Sequence, residues 1–233
     1  FIDGTMLEPG FELDELCAPV IALDRYVEKT GDTAFAARPF VRDGLEEILR
    51  RMEAKKHPSV PMYETFLQPT DDMHNHIYLT YDNALVCYAL RVLAKLLNRR
   101  ELAEEVERTR RAVYEHCVKE QNGRPFFAWS VDLNGHFDIY DEPPGSLLLL
   151  PFYGFCEESD PIWQNTAAMI RDESYPLSFA GHPIAEIGCK HAPHPWILSI
   201  CNSLLSGHAD SALLHLSRTP LDNGVACESV NED

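Results

Sequence analysis

The chain has 233 residues, 45% of them hydrophobic, with 20 basic against 37 acidic side chains and a formal net charge of −17. Phosphate backbones are bound by clustered Lys and Arg, so an acidic excess of this size excludes nucleic acid as a partner. The longest clean apolar run, Leu147 to Leu150 with its neighbours, falls far short of the ~20 residues that cross a bilayer, so no membrane partner is expected.

The seven cysteines (Cys17, Cys87, Cys117, Cys156, Cys189, Cys201, Cys227) are scattered singly, without a C-x-x-C pair. That usage suits reduced thiols of a cytoplasmic protein better than a disulfide framework or a zinc site. The sequence opens on Phe1 and stops at Asp233 inside a polar stretch, which reads as a fragment of a longer chain.

Hydrophobic periodicity predicts helices of two kinds that alternate along the chain. Residues 12–28 are apolar on nearly every face and stop at Gly31. Residues 33–55 carry one stripe, Val41, Leu45, Ile48 and Met52, on an otherwise charged cylinder. Residues 81–98 are again apolar all round, and 101–118 again striped, with Leu102, Val106, Val113 and Cys117. A third buried helix is expected at 195–206, led by Trp196, Ile197, Leu198 and Ile200. A helix apolar all round must be covered on all sides, whereas a striped one covers one side only, so the alternation predicts an inner and an outer layer of helices. Glu46, Glu47, Glu101, Glu104, Glu105 and Glu107 then read as solvated acids of the outer layer.

The connections at 60–72, 123–144 and 172–195 are long and rich in Pro, Gly, aromatics and His, which marks them as functional loops. The middle one reads as a β-hairpin turning at Asn134-Gly135. No linker or repeat divides the chain, so a single domain over 1–233 is expected.

Three polar clusters could carry chemistry. The first is 68–76, where Asp71 and Asp72 stand side by side before a buried helix; two adjacent, partly buried carboxyls can keep a proton at neutral pH. The plainer alternative is a helix-entry turn capped by Thr70 or Asp71. His74 and His76 permit a metal only if His191, His194 or distant carboxylates complete the set, so hydrogen bonding to a polar ligand is the better use. The second cluster, 187–196, puts Lys190, His191, His194 and Trp196 at one helix mouth, a combination suited to a hydroxyl-rich ring or to a Pro-rich helix entry with a core Trp. The third is 226–233, where Glu228 beside Cys227 reads as partly buried. A Cys-His nucleophile pair lacks any protease signature here, and the nucleotide-binding and G-x-S-x-G motifs are absent.

The order of these motifs resembles glycoside hydrolase family 125, the exo-α-1,6-mannosidases. Thr70-Asp71-Asp72 with Tyr78 and Asn83-Ala84 is similar to that family's proline-serine-aspartate-aspartate loop and following helix. The stretch from Asp141-Glu142 through Ser146 and the leucines to Pro151-Phe152-Tyr153 is similar to its aspartate-rich turn and serine-leucine helix. Ile187-Gly188, His191, Trp196 and Ser199 resemble another of its segments, and Cys227-Glu228-Ser229 falls where it has histidine-glutamate-serine. In place of its N-terminal arginine-aspartate-serine motif stands Leu13-Asp14-Glu15 with Pro19, closer to six-hairpin glycosidases in general.

The resemblance implies an all-α (α/α)6 toroid, incomplete at both ends, with small hairpins in its loops. It implies an inverting exo-acting glycoside hydrolase that removes a terminal sugar, most plausibly α-mannose, with no metal or organic cofactor and a carbohydrate as partner. Asp72, or else Asp71, would be the general acid and Glu228 the general base. Asp14, His74, His76, Asp141, Glu142, His191 and Trp196 would contact the sugar. Another (α/α)6 glycosidase, an α-glucosidase or debranching type, and a non-catalytic glycan- or protein-binding toroid are the alternatives.

Overall fold

The computed structural model describes residues 10–221 and 223–231. Its elements run α1 (Leu13–Thr30), α2 (Thr33–Ala36), α3 (Pro39–Glu53), β1 (Tyr78–Leu79), α4 (Thr80–Leu96), α5 (Glu101–Cys117), β2 (Val118–Gln121), β3 (Arg124–Phe127), β4 (Ser130–Val131), β5 (Phe137–Asp138), a 3-10 turn (Leu147–Leu149), α6 (Pro161–Ile170), α7 (Ile197–Leu205) and α8 (Ala209–Arg218). Two compact units emerge, Phe1–Val113 with Ser130–His136, and Tyr114–Trp129 with Phe137–Asp233. The divisions cut through α5 and between successive strands, where no Pro-, Gly- or Ser-rich linker marks the sequence.

In the first unit α1 packs on α4 and α3. The first helix ends as expected at Gly31, whose φ of 72° lets its N–H close onto the Val27 carbonyl. It is not covered on all sides, however: Leu13, Cys17, Val20, Leu23 and Val27 form a buried stripe, while Ala18, Pro19, Ala22 and Tyr26 are exposed. By contrast α4 buries every residue from Thr80 to Leu90, together with Val92 and Leu93. The expected 33–55 helix is two helices, because Pro39 forces Arg38 into extended backbone and restarts the chain as the first residue of α3. The inward stripe of α3 is Leu45, Leu49 and Met52.

Glu105 corrects the surface reading of the outer-helix acids. It is buried, and its carboxylate takes the Lys56 ammonium, the Arg108 guanidinium and the Tyr63 hydroxyl. Burial opposes its charge, but the bonds from Lys56 and Arg108 prevail and hold the carboxyl below its ordinary range.

In the second unit β2 and β3 form an antiparallel hairpin with Val118 opposite Phe127 and Gln121 opposite Arg124. Asn122 and Gly123 both take positive φ, 54° and 75°, the backbone a tight two-residue turn demands. Phe126 and Phe127 therefore belong to this hairpin rather than to one turning at Asn134-Gly135. Thr166 of α6 accepts the Phe127 N–H, and Trp163 donates its indole N–H to the Leu147 carbonyl. The serine-leucine segment is a 3-10 turn rather than a longer helix, since Pro151 lacks the N–H that would bond back to Leu147. Helices α7 and α8 pack on each other around Ile184, Ile197, Ile200, Ala212 and Val230. Only one side of α7 is covered, because Leu198, Cys201 and Leu205 are exposed.

Candidate active site

At the head of α1, Leu13 donates its N–H to the Thr65 hydroxyl, and Phe66 and Leu67 donate theirs to the Phe11 carbonyl. The loop that precedes α4 is thus fastened to the start of α1. The turn carrying the aspartate pair is closed by Asp71 N–H to the Gln68 carbonyl and by Gln68 N–H to the Asp72 carbonyl. Asp71 takes a left-handed φ of 59°, tolerable for an aspartate, and its carboxyl hydrogen-bonds that of Glu12.

This produces a carboxyl cluster that the sequence did not announce. Burial first, and then the negative charges of Asp14, Asp71 and Glu15, push Glu12 up to about 8. Burial likewise raises Asp14 to about 6, and its Oδ1 is buried with no hydrogen-bond partner among the described residues. Asp71 is exposed and Asp72 half-buried. Of these carboxyls Glu12, which is bonded to Asp71, is raised further than Asp14.

His74 is half-buried beside these residues in sequence, and His76 stacks on His136 with ring centroids 6.3 Å apart. Among the described residues no three His, Cys, Asp or Glu side chains are grouped to hold a metal ion. Asn83, singled out in the sequence, clamps the loop: it accepts the Tyr63 N–H and donates to the Tyr63 and Leu79 carbonyls.

The second unit gathers His191, Trp196 and Glu228. His191 Nε2 lies 3.0 Å from Glu228 Oε1, and its ring meets Trp196 edge-on at 5.5 Å. Backbone pairing builds this arrangement. Trp196 bridges to Ser229, Ile197 N–H reaches the Glu228 carbonyl, and Val230 N–H reaches that of Pro195. Gly188 is required where the loop folds on itself, because a Cβ there would stand 2.6 Å from the His194 carbonyl oxygen. Contrary to the partial burial expected, the Glu228 side chain is 58% exposed, since its run 223–228 lies on the surface and is held through its backbone. Glu232 and Asp233, from the same cluster, lie outside the described residues. Trp196 is only 6% exposed and donates its indole N–H to the Ala192 carbonyl, so it forms a wall rather than an open stacking platform.

Asp141 and Glu142, expected to contact the sugar, are fully buried. Asp141 Oδ1 accepts the Leu147 N–H and Oδ2 the Ser146 hydroxyl, so its carboxyl organises the 3-10 turn. Burial outweighs these bonds and pushes Asp141 up to about 8. Glu142 accepts the Tyr140 hydroxyl, while Lys190 sits over the Tyr140 ring at 4.4 Å.

The family model for metal-independent α-mannosidases, GH125, matches residues 54–233. A Streptococcus pneumoniae protein, from a family of metal-independent α-mannosidases and solved as a non-productive complex with α-1,6-mannobiose, superposes with a TM-score of 0.84 at 20% identity, over 99% of this chain and 65% of its own. A GH78 rhamnosidase of Bacillus sp. GL1 superposes at 0.57 and 16% identity, over 85% of this chain and 20% of its own. The meiotically up-regulated gene 157 protein of Schizosaccharomyces pombe is 33% identical over 94 residues, 39% of this chain and 18% of that protein. The chain thus spans about two-thirds of the pneumococcal structure and under a fifth of the yeast relative. The likeness to the pneumococcal structure establishes the (α/α)6 fold. With its family model matched over 54–233, the chain belongs to glycoside hydrolase family 125, the metal-independent α-mannosidases.

Proposed function

We propose that this protein is an exo-acting α-mannosidase that hydrolyses with inversion, Asp72 serving as general acid and Glu228 as general base. The observation that carries the reading is the Glu228–His191–Trp196 arrangement inside the region matched to the α-mannosidase family. In the tautomer with Nε2–H, His191 donates to Oε1 of Glu228 and leaves Oε2 to draw a proton from water. The acid must hold a proton at working pH, and Asp72 closes the turn whose other aspartate, Asp71, hydrogen-bonds the Glu12 carboxyl. Water attacks C1 as the glycosidic oxygen takes the acid's proton, and the two carboxyl groups of an inverting pair stand about 6.5–9.5 Å apart to admit that water.

The substrate class comes from the family and from the pneumococcal neighbour's bound α-1,6-mannobiose. The decisive experiment is proton NMR of the first product released from α-1,6-mannobiose or an aryl α-mannoside. Inversion yields β-mannose first; α-mannose, or turnover of α-glucosides in preference, would defeat the proposal. A sugar bound with no turnover would favour a non-catalytic glycan binder.

A further inference from the structure

Glu186 belongs to none of the motifs above. It is buried in the second unit and both its oxygens are engaged: Oε2 accepts the hydroxyls of Ser199 (2.7 Å) and Ser203 (2.9 Å), and Oε1 faces His215 Nδ1 at 2.8 Å. The serines stand one turn apart on α7 and the histidine on α8, so a single carboxylate fastens the two helices. Arg171 and His208 are close enough to feel its charge, and Asp141 also acts on Arg171.

From this carboxylate a run of hydrogen bonds leads to Glu228. Ser199 Oγ, while donating to Glu186, accepts the N–H of Ile187 (3.1 Å). The Ile187 carbonyl accepts the Trp196 N–H (3.1 Å), and the next residue, Ile197, donates to the Glu228 carbonyl (3.3 Å). A hydroxyl has one proton, and an ionised carboxylate accepts only. Glu186 therefore draws the Ser199 proton to itself and leaves an oxygen lone pair for Ile187.

We infer that Glu186 is a positioning residue for the proposed general base: through Ser199 and the 187–197 loop it sets where Glu228 and its partner His191 stand. This rests on the reading of Glu228 as the base. Gln at 186 keeps the shape but weakens acceptance from two serines, and Ala at 199 removes the relay while leaving the helix intact.

The test uses the full natural chain, an aryl α-mannoside, and the variants E186Q, S199A and E228Q, each measured for kcat, KM and Tm. E186Q and S199A are expected to lower kcat about tenfold, with KM within about twofold, because geometry is lost chiefly in the transition state. A fall in Tm with kcat unchanged, or a loss carried by KM alone, would overturn the inference. E228Q separates the two readings. Should it retain parental activity, the base assignment falls; should it be crippled while S199A and E186Q behave as parent, only the positioning role of Glu186 falls.

Discussion

The acids at the head of α1 and those around α7 are kept in opposite ways. At the head of α1, Glu12, Asp14 and Asp71 press on one another, and the groups that shift Glu12 are burial and further negative charge. Around α7, three acids have donors: Glu186 takes two serines and a histidine, Asp141 a serine and a backbone N–H, and Glu228 a histidine. In the first setting burial and like charge raise Glu12 and Asp14, whereas in the second the carboxyl oxygens are occupied by hydrogen-bond donors. Acid and base chemistry need those two environments, and here the choice of neighbours, more than the carboxyls themselves, separates them.

The sharpest way to break this contrast is Glu228→Gln, which keeps the shape and the His191 contact but cannot take a proton. A loss of about 10³ in kcat is expected, roughly 4 kcal/mol of transition-state stabilisation, read by steady-state kinetics. Next comes Asp141, which burial raises to about 8 despite two donors. Asp141→Ala should cost about 2–4 kcal/mol in chemical denaturation by stranding the Leu147 N–H and Ser146 hydroxyl, whereas Asp141→Asn, which imitates the protonated form, should cost far less. If Ala and Asn are equally tolerated, the carboxyl does not organise its turn.

The third test is the pH dependence of stability. Glu12 is raised from 4.5 to about 8, so between those values the folded state binds more protons than the unfolded one and stability falls as pH rises. The slope from this group is at most about 1.4 kcal/mol per pH unit, and its stabilising contribution is complete below about pH 4.5. Asp14, raised to about 6, adds to the lower part of the window. Glu12→Gln should flatten the Tm profile between pH 5 and 8; an unchanged profile would mean that the cluster ionises freely. The smallest effect is expected at Gly188, where alanine must displace the His194 carbonyl and should cost about 1–3 kcal/mol, with a rise in KM that a distant cavity would not produce.

Much of this was readable in advance where local chemistry decides. Gly31 stops α1, the unbroken apolar content of 81–98 becomes the buried α4, and the polar clusters at 68–76 and 187–196 hold the loops that matter. What escaped was settled at a distance. Pro39 divides what periodicity alone reads as one helix, and Asn122-Gly123 is as good a turn signal as Asn134-Gly135. Helices α6 and α8 went unread, α6 being short and α8 leaving Leu213, Leu214 and Leu216 exposed. Glu12, Glu105 and Glu186 look like any surface acid until their partners, dozens of residues away for Glu12 and Glu105, are brought to them. One signal for Glu186 was available: Ser199 and Ser203, spaced by one turn on the covered face of an apolar helix, require a buried acceptor.

Asn83 carries a different consequence. Its side-chain amide receives one N–H and serves two carbonyls, so the segment at Tyr63 is held as a neighbouring peptide strand would hold it. That use depends on one atom. Aspartate has the same outline, but an oxygen in place of the nitrogen would turn a lone pair toward each of two carbonyl oxygens. Hydrolytic ageing of asparagine to aspartate would therefore unfasten the loop ahead of α4 from within, and the rigid, buried helical backbone at this position is what guards that amide against the reaction.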